Sequence, residues 1–112
     1  MMSEPLTDED AKLVTLARGA RGRVSAAEGA AVRDDMGRTY SGATVATATI
    51  TLSAIQLAIA QAIASGAQGI ECAVVISPAD DVDIAAVSDL GGAGVPVFVC
   101  SSNGALRVKL TT

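Results

Sequence analysis

The chain has 112 residues, half of them apolar, and a formal net charge of −4. That length suits one domain spanning residues 1–112, and the acidic balance disfavours nucleic acid, whose phosphates call for a basic surface. With no histidine, two cysteines and only Tyr40 and Phe98 as aromatics, the sequence excludes Ser-His-Asp and Cys-His catalysis, and its core has to be built from Ala, Val, Ile and Leu.

The acidic start, MMSEPLTDED, has neither the basic nor the apolar segment of a signal peptide. Thr7 suits an N-cap, with Leu6 as hydrophobic staple and Asp10 in the acidic capping-box position. Leu13, Leu16 and Ala17 give this first helix an apolar face, and Gly19 and Gly22 predict its end near Arg18. The following RGARGR reads as a solvated loop rather than a binding patch.

Val24–Arg33 and Arg38–Val45 then read as a β-hairpin joined by Asp34-Asp35-Met36-Gly37. From Thr39 to Ile70 no side chain is charged. Val45–Ala64 is long enough to cross a membrane. Its Ser, Thr and Gln content and the lack of close basic anchors favour core and subunit interface instead, hence no membrane partner.

Within that stretch Leu52–Ser65 predicts a helix with Leu52, Ile55, Ile59 and Ile63 on one stripe and Ala54, Ala58 and Ala62 beside it. A helix so apolar around its circumference is expected to be buried on most sides, capped by Thr51 or Ser53 and ended by Gly66.

Cys72–Ser77 is a continuous apolar run of the kind found inside a parallel sheet. Asp83–Leu90 is a short helix, Val95–Cys100 a second apolar strand, and Ala105–Leu110 an edge strand with Arg107 and Lys109 outward. Gly91-Gly92-Ala93-Gly94 follows a helix and precedes a strand, the reverse of a phosphate loop. Cys72 and Cys100 read as reduced thiols in a cytoplasmic core, at opposite ends of neighbouring strands. The order α-β-β-α-β-α-β-β predicts a three-layer α-β-α domain with a mixed five-stranded sheet.

That order, together with Gly29-Ala30-Ala31 in the first strand and Gly37, Tyr40 and Gly42 in the second, resembles the cytidine deaminase family. The resemblance runs from about Leu6 to Leu110. It implies a zinc centre with a Cys or His from a C-A-E motif, two Cys from P-C-x-x-C, and the Glu as proton shuttle. Residue by residue, the first ligand position falls on Ser53, with Thr51 as the neighbouring register. The catalytic glutamate falls on Ile55, and the two Cys positions fall on Asp80 and Asp83. The Asn and Glu that hold the ribose fall on Thr44 and Ala46.

Loss of a positioned carboxylate costs about 10²–10⁴-fold in acid–base catalysis. The expectation is therefore a non-catalytic member of the family without zinc or other cofactor, a cytoplasmic structural or regulatory module. The resemblance implies a homotetramer or homodimer, and another protein partner stays open. The alternative is a nucleoside or small-molecule binder, or an atypical hydrolase using Asp80 and Asp83. Those aspartates have a hard-cation reading and a helix-capping reading, and capping is favoured. Neither Ser53 nor Thr51 has a base to activate it as a nucleophile.

Overall fold

The structure, a computed structural model, describes residues 6–112. The chain up to residue 5 lies outside the described residues. The elements are α1 (Asp8–Val24), β1 (Gly29–Asp34), β2 (Thr39–Ala43), β3 (Val45–Ala46), β4 (Thr51–Leu52), α2 (Ala54–Ala64), β5 (Ile70–Ile76), α3 (Ala85–Gly91), β6 (Pro96–Cys100) and β7 (Leu106–Thr111). Five strands form one mixed sheet in the order β2-β1-β5-β6-β7, in which only β5 and β6 run parallel.

Both sheet faces are covered, so alternate residues of each central strand enter different cores. Ala31, Cys72, Val74, Ile76, Phe98 and Cys100 pack with Leu13, Val14 and Ala17 of α1. Ala30, Val32, Ala73, Val75 and Val97 pack with Ala54, Ile55, Ala58, Ile59 and Ala62 of α2 and Val87 of α3. This is the expected three-layer architecture with its mixed five-stranded sheet.

Two glycines set how closely helix and strand approach. A Cβ on Gly42 would lie 2.9 Å from Leu57 Cβ and 3.0 Å from both Ala54 O and Ala58 N of α2. One on Gly29 would lie 2.2 Å from Ala17 O in α1.

The first helix departs from expectation. Thr7 caps it, accepting from Asp10 N at 3.1 Å, and Leu6 packs beneath it. It continues through Gly19 and Gly22 to Val24 and closes on Ser25, whose φ of 52° is left-handed. RGARGR is thus helix, not loop, and β1 begins at Gly29 rather than Val24. Each interior glycine costs a helix about 1 kcal/mol. Burial of Ala17 and Ala20, with arginine as a good helix former between the glycines, offsets that cost. Asp10 does not complete a capping box but is buried, 3.0 Å from Arg33 Nη2. Leu16 is exposed rather than part of the apolar face.

The hairpin joint is held from inside. Asp34 is fully buried and its carboxylate accepts from Met36 N (2.8 Å), Arg38 N (2.9 Å), Arg38 Nε (3.0 Å) and the Tyr40 hydroxyl (3.0 Å). Burial pushes its pKa up, but hydrogen bonds from the Arg38 and Met36 amides and from Tyr40 win and hold it below the usual carboxylate range. Gly37, at φ 84°, supplies the left-handed position the turn needs.

A small hairpin, β3–β4, was not expected from the sequence. Thr47 N donates to Ile50 O at 2.8 Å, and Thr47 Oγ1 accepts from Ile50 N at 3.0 Å, closing its turn. It claims Leu52, so α2 starts at Ala54. Helix α2 buries Ala54, Ile55, Ala58, Ile59 and Ala62, but Ile63 is 53% exposed and leaves the predicted stripe. Its outer face, including Gln56, Ala60, Gln61 and Ala64, is open to solvent in the single chain, so the helix is not buried on most sides. Among the described residues no helix is long and apolar enough to cross a membrane.

Candidate functional site

A cleft of about 390 Å³ opens where the start of β1, the end of β2, the β4–α2 junction and the start of α3 converge. Its polar walls are Glu28, Thr44, Thr51, Ser53, Gln56 and Asp83. The fold therefore gathers four of the positions singled out in the sequence, Thr44, Thr51, Ser53 and Asp83, from segments up to 39 residues apart.

The side chains of Thr44, Ser53 and Asp83 are tied to the scaffold. Ser53 is the N-cap of α2, its Oγ accepting from Gln56 N at 3.1 Å while Gln56 Oε1 accepts from Ser53 N at 2.9 Å, a complete capping box. Between the two capping candidates, Ser53 takes the role, and Thr51 lies in β4. Thr44 Oγ1 accepts from Glu28 N at 3.0 Å and donates to Glu28 O at 3.4 Å, linking β1 to the end of β2. Asp83 Oδ1 accepts from Ala85 N at 2.9 Å, satisfying a free amide at the start of α3.

The remaining predicted positions lie elsewhere. Ile55, 1% exposed, points into the core between α2 and the sheet and is not among the cleft-lining residues. Asp80 is outside the cleft and forms an ion pair with Arg107. Asp80 and Asp83, three residues apart in the sequence, therefore do not line one cleft. Ala46 is exposed on β3 and lines a separate groove with Val24 and Leu57.

Glu28 was missed in the sequence reading. Its Oε2 accepts from the buried Ser77 hydroxyl at 2.6 Å, and Ser77 Oγ in turn accepts from Ala79 N at 3.1 Å. The signal was present: Glu28 is the only charge between Arg23 and Arg33. Placing the strand start at Val24 hid it in mid-strand. Gln56 was also missed, although its spacing from Ser53 fits a capping box.

Thiol chemistry is directed away from this cleft. Burial, aided by the nearby Asp10 carboxylate, pushes the Cys72 thiol up to about 12, and burial also raises Cys100. Both face the α1 side of the sheet, where a neutral thiol is a poor nucleophile. The cleft itself offers hydroxyls, one amide and two carboxylates. That set suits hydrogen bonding to a polar or cationic ligand. Among the described residues no three His, Cys, Asp or Glu side chains gather as a metal-holding group.

Comparison with known proteins agrees with this fold. A family model described as cytidine deaminase-like matches residues 6–104. The fold is similar to that of a cytidine deaminase from Burkholderia pseudomallei, with a TM-score of 0.77 and 20% identity over 95% of this chain and 93% of that one. It is also similar to a cytidine deaminase from Mycobacterium leprae, with a TM-score of 0.68 and 18% identity over 95% and 94% of the two chains. No curated protein matches the chain.

Proposed function

The chain belongs to the cytidine deaminase-like family, and on that premise we propose that it is a non-catalytic member working as a self-associating structural or regulatory module. The observation that carries this reading is the chemistry at the positions where the family resemblance puts its metal and its acid. Ser53 Oγ and Asp83 Oδ1 accept from amides at helix starts, Asp80 is paired with Arg107, and Ile55 is core. One hydroxyl and one reachable carboxylate do not fit a zinc centre, which takes three or four protein ligands, chiefly cysteine thiolates and histidines. No step through a metal is derived for this site.

Self-association rests on the uncharged segment. No charge occurs from Thr39 to Ile70, yet Ile50 and Ile63 are half exposed and the outer face of α2 carries only small, apolar and amide side chains. A second copy of this chain covering that face gives a homodimer, or a homotetramer if further faces pair. Another protein is the competing occupant. An acidic chain with buried thiols fits a cytoplasmic setting without nucleic acid.

Native mass spectrometry of the chain and of Ile63→Glu tests the assembly. A dimer or tetramer that dissociates in the variant supports it. A monomeric wild type at micromolar concentration contradicts it. A second reading, a binder of small polar molecules such as nucleosides, draws on the cleft volume and on Glu28 and Asp83. Saturable cytidine binding that Glu28→Gln abolishes would favour it.

A further inference from the structure

On the opposite face of the sheet, a second cavity of about 390 Å³ opens beside the ends of the parallel strands β5 and β6. Its walls include Ile76, Ser77, Ser101 and Ser102, with Arg21 from α1 and Arg107 from β7. We propose that this cavity binds a tetrahedral oxyanion, a phosphate either free or as a small monoester. It is distinct from the cleft described above. The two meet at the Ala27-Glu28 step and through the hydrogen bond from Ser77 to Glu28.

Charge and geometry argue together. Acids outnumber bases twelve to eight in the chain, yet this cavity is lined by two arginines and by no carboxylate. Arg21 forms no ion pair among the described residues. Only its Nε donates, to Ala27 O at 3.5 Å, which leaves both Nη groups for a ligand.

Arg107 is fixed in place. Its Nη1 donates to Ser77 O at 2.6 Å and its Nη2 to Pro78 O at 3.1 Å and to Asp80. Its Nε–H and one Nη1 hydrogen are left over. A guanidinium already held by carbonyls loses little entropy on binding. Guanidinium forks match the paired oxygens of phosphate.

The floor is ordered as well. Arg18 Nε donates to Ser102 O at 3.1 Å, and Ser101 donates to Asn103 Oδ1 at 2.6 Å, fixing the β6–β7 turn. Ser102 Oγ is then a donor without a partner among the described residues. The carbonyl end of α1 carries about half a negative charge, which opposes an anion. Arg21, the last-turn arginine that lines the cavity, outweighs it. The place also follows a general rule, since open α/β sheets bind ligands outside the carboxyl ends of their parallel strands. The volume falls within the range of small-ligand sites, about 300–1,000 Å³, and leaves room for an organic group on the phosphate.

The test is isothermal titration calorimetry of the intact chain with inorganic phosphate and with glycerol 3-phosphate, at constant ionic strength. The variants are Arg21→Gln and Arg23→Gln, each checked for wild-type circular dichroism. Arg23 lies in the same helical turn but does not line the cavity. Saturable binding is expected, weakened about ten-fold or more by Arg21→Gln and less than about two-fold by Arg23→Gln. Tighter binding of the ester identifies a monoester as the natural class, and equal or weaker binding identifies the free ion. No saturable heat for either probe at about 10 mM, or equal losses in both variants, would overturn the proposal.

Discussion

Ile55→Glu puts a carboxyl where the family resemblance places one, and the structure predicts that it strongly destabilises the protein rather than activating it. Ile55 is 1% exposed and packed between α2 and the sheet. Losing its burial costs about 1.5–3 kcal/mol. The introduced carboxyl finds an apolar surrounding and stays protonated in the fold. Its pKa there rises toward about 8–9, against about 4.3 in the unfolded chain.

The sign follows from proton binding. Between those two values the native state holds a proton that the unfolded state releases. Each pH unit above the unfolded value then removes about 1.4 kcal/mol of stability. At pH 7 that is nearly 4 kcal/mol, and with the lost burial the total is about 5–7 kcal/mol. A domain of this size has about 5–15 kcal/mol in all.

Urea melts of wild type and Ile55→Glu at pH 4.5 and pH 7.5 read the effect. Taking the difference between the two proteins at each pH cancels the background. The gap widens by about 4 kcal/mol at the higher pH, whereas Ile55→Gln shows the same gap at both. Equal gaps for the Glu variant, or wild-type stability at pH 7.5, would mean that this position opens to the solvated cleft. The core assignment would then fail.

Gly42→Ala forces a Cβ against Leu57 and the α2 backbone, and an urea midpoint corresponding to a loss of about 1–3 kcal/mol is expected. Ser53→Ala removes the helix cap and costs about 1 kcal/mol in the same assay. Asp34→Asn leaves Arg38 and Tyr40 mispaired and destabilises by about 1–3 kcal/mol near neutrality. Because the folded pKa of Asp34 is depressed, its contribution is complete above the ordinary carboxylate range and fades as pH falls through the folded value. The gap between wild type and Asp34→Asn should therefore close in acid and stay open above about pH 5.

The centre of the sheet was legible because β5 and β6 are apolar runs with both faces buried. The resemblance positions Gly29, Gly42 and Tyr40 proved to be places where helix, strand and turn meet within van der Waals or hydrogen-bond reach. What escaped were features decided by tertiary contact. The helix through Gly19 and Gly22 is held by burial of Ala17 and Ala20, which local propensity does not register. The β3–β4 hairpin lies in a stretch of Ala and Thr whose pattern suits strand or helix. Of the site, Thr44, Ser53 with its neighbouring register Thr51, and Asp83 were found through the resemblance and do converge. Glu28 was lost to a misplaced strand start, and Asp80 was drawn away by Arg107, a partner 27 residues distant.

The central claim is that this scaffold carries no deaminase centre. Its most direct test is to measure zinc per chain in purified, zinc-supplemented protein and to follow conversion of cytidine to uridine in the same sample. The account predicts zinc far below one equivalent and no uridine above the uncatalysed background. One tightly held zinc per chain together with uridine formation would contradict it.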